Sequence, residues 1–214
     1  MGAGLEKKVL IELYLASLSG GKASPSLLAS RLGMDIRECE ELLDDLASRG
    51  LVEAGYSLSR EGREAIKVVL TGGVFDVLHV GHLATLEEAK RLGDVLVVVV
   101  ARDETVERLK GRRPLNKEED RLRLVSALKP VDMALLGDLE DMFKVVELVK
   151  PDVIALGYDQ KHDEEAIREE LSRRGLDADV VRLKIRVPGV KSSMIIARMS
   201  GRGAGAQERG ENRS

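Results

Sequence analysis

The chain has 214 residues, of which 43% are apolar and 33% charged, and a net charge of −3. That is enough for one ordinary domain or two modest ones and excludes a disordered chain, while the charge gives no global pull toward nucleic acid or anionic membrane. Cys39 is alone, which excludes a disulfide framework and a cysteine-rich zinc site. The longest apolar run, Val95–Ala101, suits a buried strand and is far too short to span a bilayer. The first residues carry no apolar core of an export signal, so a cytoplasmic protein with no membrane partner is expected. Asn116, Asn212, Gln160 and Gln207 are its only side-chain amides, a bias that fits a thermophile.

Taken in order, the chain first predicts helices. Val9, Leu10, Leu13 and Leu18 recur at near-helical spacing between Glu6 and Leu18. Ser24-Pro25 is a cap and first-turn pair for a second helix carrying Leu27, Leu28 and Leu32 and stopped by Gly33. Asp35 caps a third, with Ile36, Cys39, Leu42, Leu43 and Leu46 inward and Gly50 at its end. An extended run Leu51–Ala54, a turn at Gly55 and the segment Tyr56–Ala65 follow. Three helices and a small hairpin resemble the winged helix-turn-helix domain. Residues 1–66 hold eight Lys and Arg against eleven Asp and Glu, and the third helix carries Glu38, Glu40, Glu41, Asp44 and Asp45 against Arg37 and Arg49. DNA phosphates need the opposite sign. A protein or regulatory partner is therefore favoured for this unit, with DNA left open.

From Lys67 the pattern alternates between strands and helices. Strands are predicted at Val68–Thr71, Val95–Ala101, Met133–Leu136, Val153–Leu156 and Val180–Leu183, with helices near Leu83–Leu92, Glu104–Leu109, Lys117–Leu128, Met142–Val149 and Glu164–Arg173. This is the pattern of an α/β fold: a Rossmann-like parallel sheet with helices on both faces, preceded by the small winged-helix domain. The segment from Gly201 has little to bury and is expected to be a disordered tail, 201–214.

The chemistry concentrates in Gly72-Gly73-Val74-Phe75-Asp76-x-x-His79-x-Gly81-His82. The two glycines permit a tight turn and close approach of a ligand. Two imidazoles at the start of a helix sit where backbone N–H groups and the helix dipole already favour an anion. The run Phe-Asp-x-x-His-x-Gly-His resembles the signature of the cytidylyltransferase-like superfamily, whose members transfer a nucleoside monophosphate from CTP or ATP.

That resemblance extends along the chain and implies further roles. Asp103 and Lys110 match an acidic residue near the site and a lysine that reaches the triphosphate. Arg121 matches an arginine on the leaving phosphates. Gly157, Tyr158 and Asp159 match the loop beside base and ribose. Arg186, Ser192 and Ser193 match a phosphate-binding segment at a helix start, although Lys191 is a departure there. Val-Ala-Arg-Asp-Glu-Thr-Val, Ala-Leu-Lys-Pro-Val-Asp and Leu-Gly-Tyr-Asp-Gln look most like the archaeal FAD synthase family, over Val68 to about Arg198. The resemblance implies transfer of AMP from ATP to FMN by a transferase domain at 67–200. His79, His82 and Lys110 would be catalytic, with Mg²⁺ or another divalent cation held directly or through water by Asp76, in a homodimer. Two alternatives stay open: a cytidylyl- or adenylyltransferase acting on glycerol phosphate or a sugar phosphate, and a nucleotide-sensing transcription regulator.

Overall fold

A computed structural model describes residues 3–160, 162–190 and 192–199, so the expected tail and Lys191 lie outside the described residues. The chain opens with α1 (Ala3–Leu18), α2 (Pro25–Leu32) and α3 (Ile36–Ser48). Their starts follow from capping. Ser24 Oγ accepts from the Leu27 N–H, and the Asp35 carboxylate from the Arg37 N–H. Gly33, at φ 65°, ends α2 in the left-handed conformation. Leu28, Cys39, Leu42, Leu43 and Leu46 form the inner faces. An antiparallel hairpin of β1 (Val52–Glu53) and β2 (Ser57–Leu58) follows, then α4 (Arg60–Glu64). This is the winged-helix arrangement that the sequence predicts.

The rest of the chain runs β3 (Val68–Gly73), α5 (Val80–Lys90), β4 (Val95–Val100), α6 (Asp103–Lys110), α7 (Glu118–Ser126), β5 (Met133–Leu136), α8 (Phe143–Val149), β6 (Val153–Leu156), α9 (Glu164–Arg173), β7 (Asp179–Arg182) and α10 (Ser192–Met199). The five later strands pair in parallel in the order β5-β4-β3-β6-β7. Alternation along the central strands splits the core between two faces. Val68, Leu70, Val95 and Val97 face one cluster, and Val69, Leu96 and Val98 the other. The chain builds outward from β3 to β5, then crosses back to place β6 on β3's other side. Ligands in such sheets bind at this switch, outside the carboxyl ends of β3 and β6.

The first of these clusters continues without a break into the N-terminal helices, taking in Val9, Leu13, Tyr14, Leu42, Leu46 and Ile66. Polar contacts reinforce the joint at the amino ends of the strands. Arg63 donates to the Lys150 carbonyl oxygen at 2.6 Å and pairs with Asp152 at 3.0 Å, while Asp152 accepts from the Val68 N–H. Lys7 pairs with Asp94, which accepts from the Lys67 N–H.

Two boundaries that shape the site differ from those predicted. β3 runs on through Gly72 and Gly73, which pair with Val99 and Val100, so the glycines do not form the turn. The bend falls at Phe75, at φ 54°. In turn, α5 starts at Val80, three residues early, because His79 takes the extended conformation of a cap. The shift puts His82 in the first turn of the helix.

Candidate active site

The glycines matter for space. A Cβ on Gly73 would lie 2.9 Å from the Phe75 ring, so only glycine lets that ring fold back under the strand end. Phe75 is buried, and its ring centroid lies 5.2 Å from that of His82. His79 and His82 stack at 3.9 Å with an interplanar angle of 22°. Gly81 permits this too, since a Cβ there would sit 3.0 Å from the His79 ring. Strand end, bend and helix start thus converge on one pair of imidazoles.

Among the described residues, Nδ1 of His79 and Nδ1 of His82 are both buried without a hydrogen-bond partner; Thr105 Oγ1 in α6 is a third such atom. A polar atom left dry costs about 1–3 kcal/mol unless a ligand satisfies it. Burial first, then His79 and Lys110, hold the His82 imidazole down at about 4, with Asp159 pulling the other way. Burial lowers His79 as well, again opposed by Asp159. Both rings are therefore neutral near pH 7 and offer hydrogen bonds rather than charge. The fields of Lys110 and Asp159 at His82 place those two residues around the pair.

Asp76 is buried, and its carboxylate is hydrogen-bonded within the protein. Its Oδ1 accepts from the N–H groups of Leu115 (2.6 Å) and Asn116 (3.3 Å), and Oδ2 pairs with Arg112 at 3.1 Å. The carboxylate is committed to holding the loop after α6 against the histidine segment. Arg121 is held in the same way. It is fully buried, and its donors are directed at protein acceptors. Its Nε donates to the Asn116 carbonyl (3.0 Å), Nη1 to that of Val74, and Nη2 to that of Ala101 (2.8 Å) and to Asp103 Oδ1 (2.6 Å). Arg121 braces the site from behind, and Asp103 is its ion-pair partner.

From the other flank, Ser192 Oγ donates to the Val77 carbonyl oxygen at 3.0 Å, which docks the start of α10 on the histidine segment. Ser193 is exposed one residue further on. Arg186 is exposed on the approach to α10 and has no partner among the described residues. Gly157 is buried beyond β6, with Tyr158 half-buried and Asp159 exposed after it. Gln160 links this turn to the strand floor by donating from Nε2 to the Gly72 carbonyl at 2.6 Å. Three contributors were not singled out from sequence: Arg112, Gln160 and Arg182. Gln160 ends one of the stretches that carried the family likeness and Arg112 lies two residues past Lys110, whereas Arg182 ends an edge strand and gave no signal.

A Rossmann-like switch point holding two stacked, neutral histidines at a helix start defines a site for transfer of a nucleotidyl group, and a Cytidylyltransferase-like family model matches residues 70–198. The chain belongs to that family. Residues 13–71 match a second model, described as wHTH-PRTase associated. Among curated proteins the chain is similar to the FAD synthase of Ferroglobus placidus, 56% identical over 121 residues, which cover 56% of this chain and 78% of that one. It is also similar to the FAD synthase of Methanoculleus marisnigri, 54% identical over 129 residues, covering 60% and 82%. A solved structure of a lipopolysaccharide core biosynthesis protein from Thermoplasma volcanium superposes with a TM-score of 0.55 at 48% identity, over 57% of this chain and 99% of that one.

Proposed function

We infer that the protein is an FMN adenylyltransferase, transferring AMP from ATP to FMN to give FAD and pyrophosphate. The observation that carries this reading is the likeness to FAD synthases, which spans 78% and 82% of their lengths at 56% and 54% identity. An FMN phosphate oxygen attacks the α-phosphorus in line. The new P–O bond forms as the bond to the β-phosphate bridge breaks, so charge is conserved and no protein nucleophile or proton transfer is required. The protein contributes position and charge stabilisation. His79 and His82 donate hydrogen bonds to the α-phosphate region, and Lys110 and Ser193 face the departing pyrophosphate, with Ser192 setting the start of α10. Gly157, Tyr158 and Asp159 line the nucleoside side.

No group of three or more His, Cys, Asp or Glu side chains converges among the described residues as a metal cage would. Mg²⁺ or another divalent cation enters as part of the ATP substrate, which suits an ion that keeps its waters and binds through phosphates.

We take residues 1–66 as an accessory unit, 67–200 as the transferase and 201–214 as a tail. All five acids of α3 are exposed. Arg31 pairs with Glu12, Arg49 with Glu6 and Asp45, and Arg63 with Asp152. The exposed sign supports a protein or regulatory partner over DNA and argues against a transcription regulator. We propose a cytoplasmic homodimer; no helix among the described residues is long and apolar enough to cross a membrane.

One observation favours a smaller acceptor, glycerol phosphate or a sugar phosphate. Phe75 lies under His82, Phe143 under Arg174, Tyr14 in the joint and Tyr56 in the turn between β1 and β2, which leaves Tyr158 in the site turn for a flavin to meet. The test is direct. Enzyme, Mg²⁺, ATP and FMN should yield FAD and pyrophosphate on chromatography. No FAD, alongside brisk turnover of CTP with glycerol phosphate or a sugar phosphate, overturns the assignment.

A further inference from the structure

We propose that Arg182 is a positioning residue for the nucleoside half of the site, acting through the turn Gly157–Gln160; this rests on the adenylyltransferase reading above. Arg182 closes β7 and lies in register with Leu156, the last residue of β6. From there its guanidinium reaches over the strand end. Nη1 donates to the carbonyl oxygens of Gly157 (3.1 Å) and Gln160 (2.9 Å), Nη2 to that of His162 (2.7 Å), and Nε to the Glu164 carboxylate (2.7 Å). A guanidinium has five N–H donors in a fixed planar fork. With these four acceptors engaged, Arg182 grips protein rather than ligand.

Gln160 holds the same turn from the other side. Its Oε1 accepts from the Gly157 N–H at 3.0 Å while Nε2 reaches Gly72. The Gln160 N–H closes the turn on the Gly157 carbonyl at 3.1 Å. The turn is thus tied to β7 by Arg182 and to the floor of β3 by Gln160, with Asp159 held where both imidazoles feel its charge. A turn attached only at its ends would have to be ordered by the nucleotide, at a cost in affinity; one built in place does not. Arg182 sits on an edge strand, its side chain 31% exposed, and three of its bonds go to main-chain carbonyls in or just past this turn. Its loss should therefore be felt in ATP binding before it is felt in the core.

The test compares Arg182→Ala, Arg182→Lys and Gln160→Ala in the full chain. ATP binding is measured by calorimetry without acceptor, together with kcat, KM for ATP, KM for FMN and Tm. Arg182→Ala should weaken ATP binding and raise its KM about tenfold, with kcat within about threefold and KM for FMN unmoved. Lysine, a point charge without the fork, should restore only part of this, and Gln160→Ala should shift the same quantity in the same direction. ATP binding within about twofold of wild type in folded Arg182→Ala, or in Gln160→Ala should the arginine variant fail to fold, overturns the proposal, as does an equal fall in every kinetic constant. Wild-type protein that binds ATP yet makes no FAD sinks the FMN reading alone, because the calorimetric comparison still decides the role of Arg182. Wild-type protein that binds no ATP sinks both.

Discussion

The Tyr14 hydroxyl donates to the Val149 carbonyl oxygen at 2.7 Å, joining α1 to the end of α8 across 135 positions of sequence. Arg63 stacks over the same ring at 5.2 Å. The contact lies at the amino ends of the strands, away from the histidine pair at their carboxyl ends. Tyr14→Phe should cost about 1–2 kcal/mol, since it leaves a buried carbonyl unpaired, and should lower Tm by a few degrees. Turnover per folded molecule should not change. Thermal unfolding paired with a steady-state assay checks both halves.

His82→Ala should lower kcat by about a hundredfold or more while far-ultraviolet circular dichroism stays native, because in the proposed mechanism the ring donates to charge that develops in the transition state. Near-normal turnover by the folded variant would remove the histidine pair from the mechanism.

Lys110 and Arg121 should fail in opposite ways. Arg121→Met strips the partner from Asp103 and empties three carbonyl contacts in the interior, a change that costs about 3–5 kcal/mol when a buried pair is broken. Its damage should appear as lost folded protein. Lys110→Ala, at the exposed end of α6, should keep Tm and lose turnover. If Arg121→Met were as stable as wild type but defective toward ATP, the brace would in fact be a ligand.

The His82 imidazole, held at about 4 in the fold, returns to its ordinary value near 6.5 when the chain unfolds. Between those values the unfolded chain binds the extra proton, so stability is present above pH 6.5 and is lost as pH falls toward 4. The full effect is at most about 3 kcal/mol. Denaturant melts of ligand-free protein across this window should show the slope, and His82→Gln should flatten it. An unchanged slope in that variant would assign the acid lability elsewhere.

The strands and the histidine segment were legible because their signals are local. Aliphatic runs such as Val95–Val100 admit one reading, and Ser24 and Asp35 mark helix starts by chemistry that needs no tertiary context. The hydrogen-bond partners of Arg121 and Asp76 were hidden for the converse reason. A charged residue in a family segment looks like a ligand until burial is known, and the partners of Arg121 lie 5, 18, 20 and 47 positions away. The bend at Phe75 was hidden because two adjacent glycines are the more obvious place to turn. Arg182 acts over 20 to 25 positions on main-chain oxygens, which have no residue identity to read.

The unbroken apolar cluster beneath the sheet has a consequence for cooperativity. Because Val9, Leu13 and Ile66 share their packing with Val68, Val149 and Ile154, the helices before β3 have no separate interior to melt around. Heating should give a single calorimetric transition, with van 't Hoff and measured enthalpies in agreement. A surface change on α1 far from any substrate would then be transmitted as a change in the working temperature of the transferase itself.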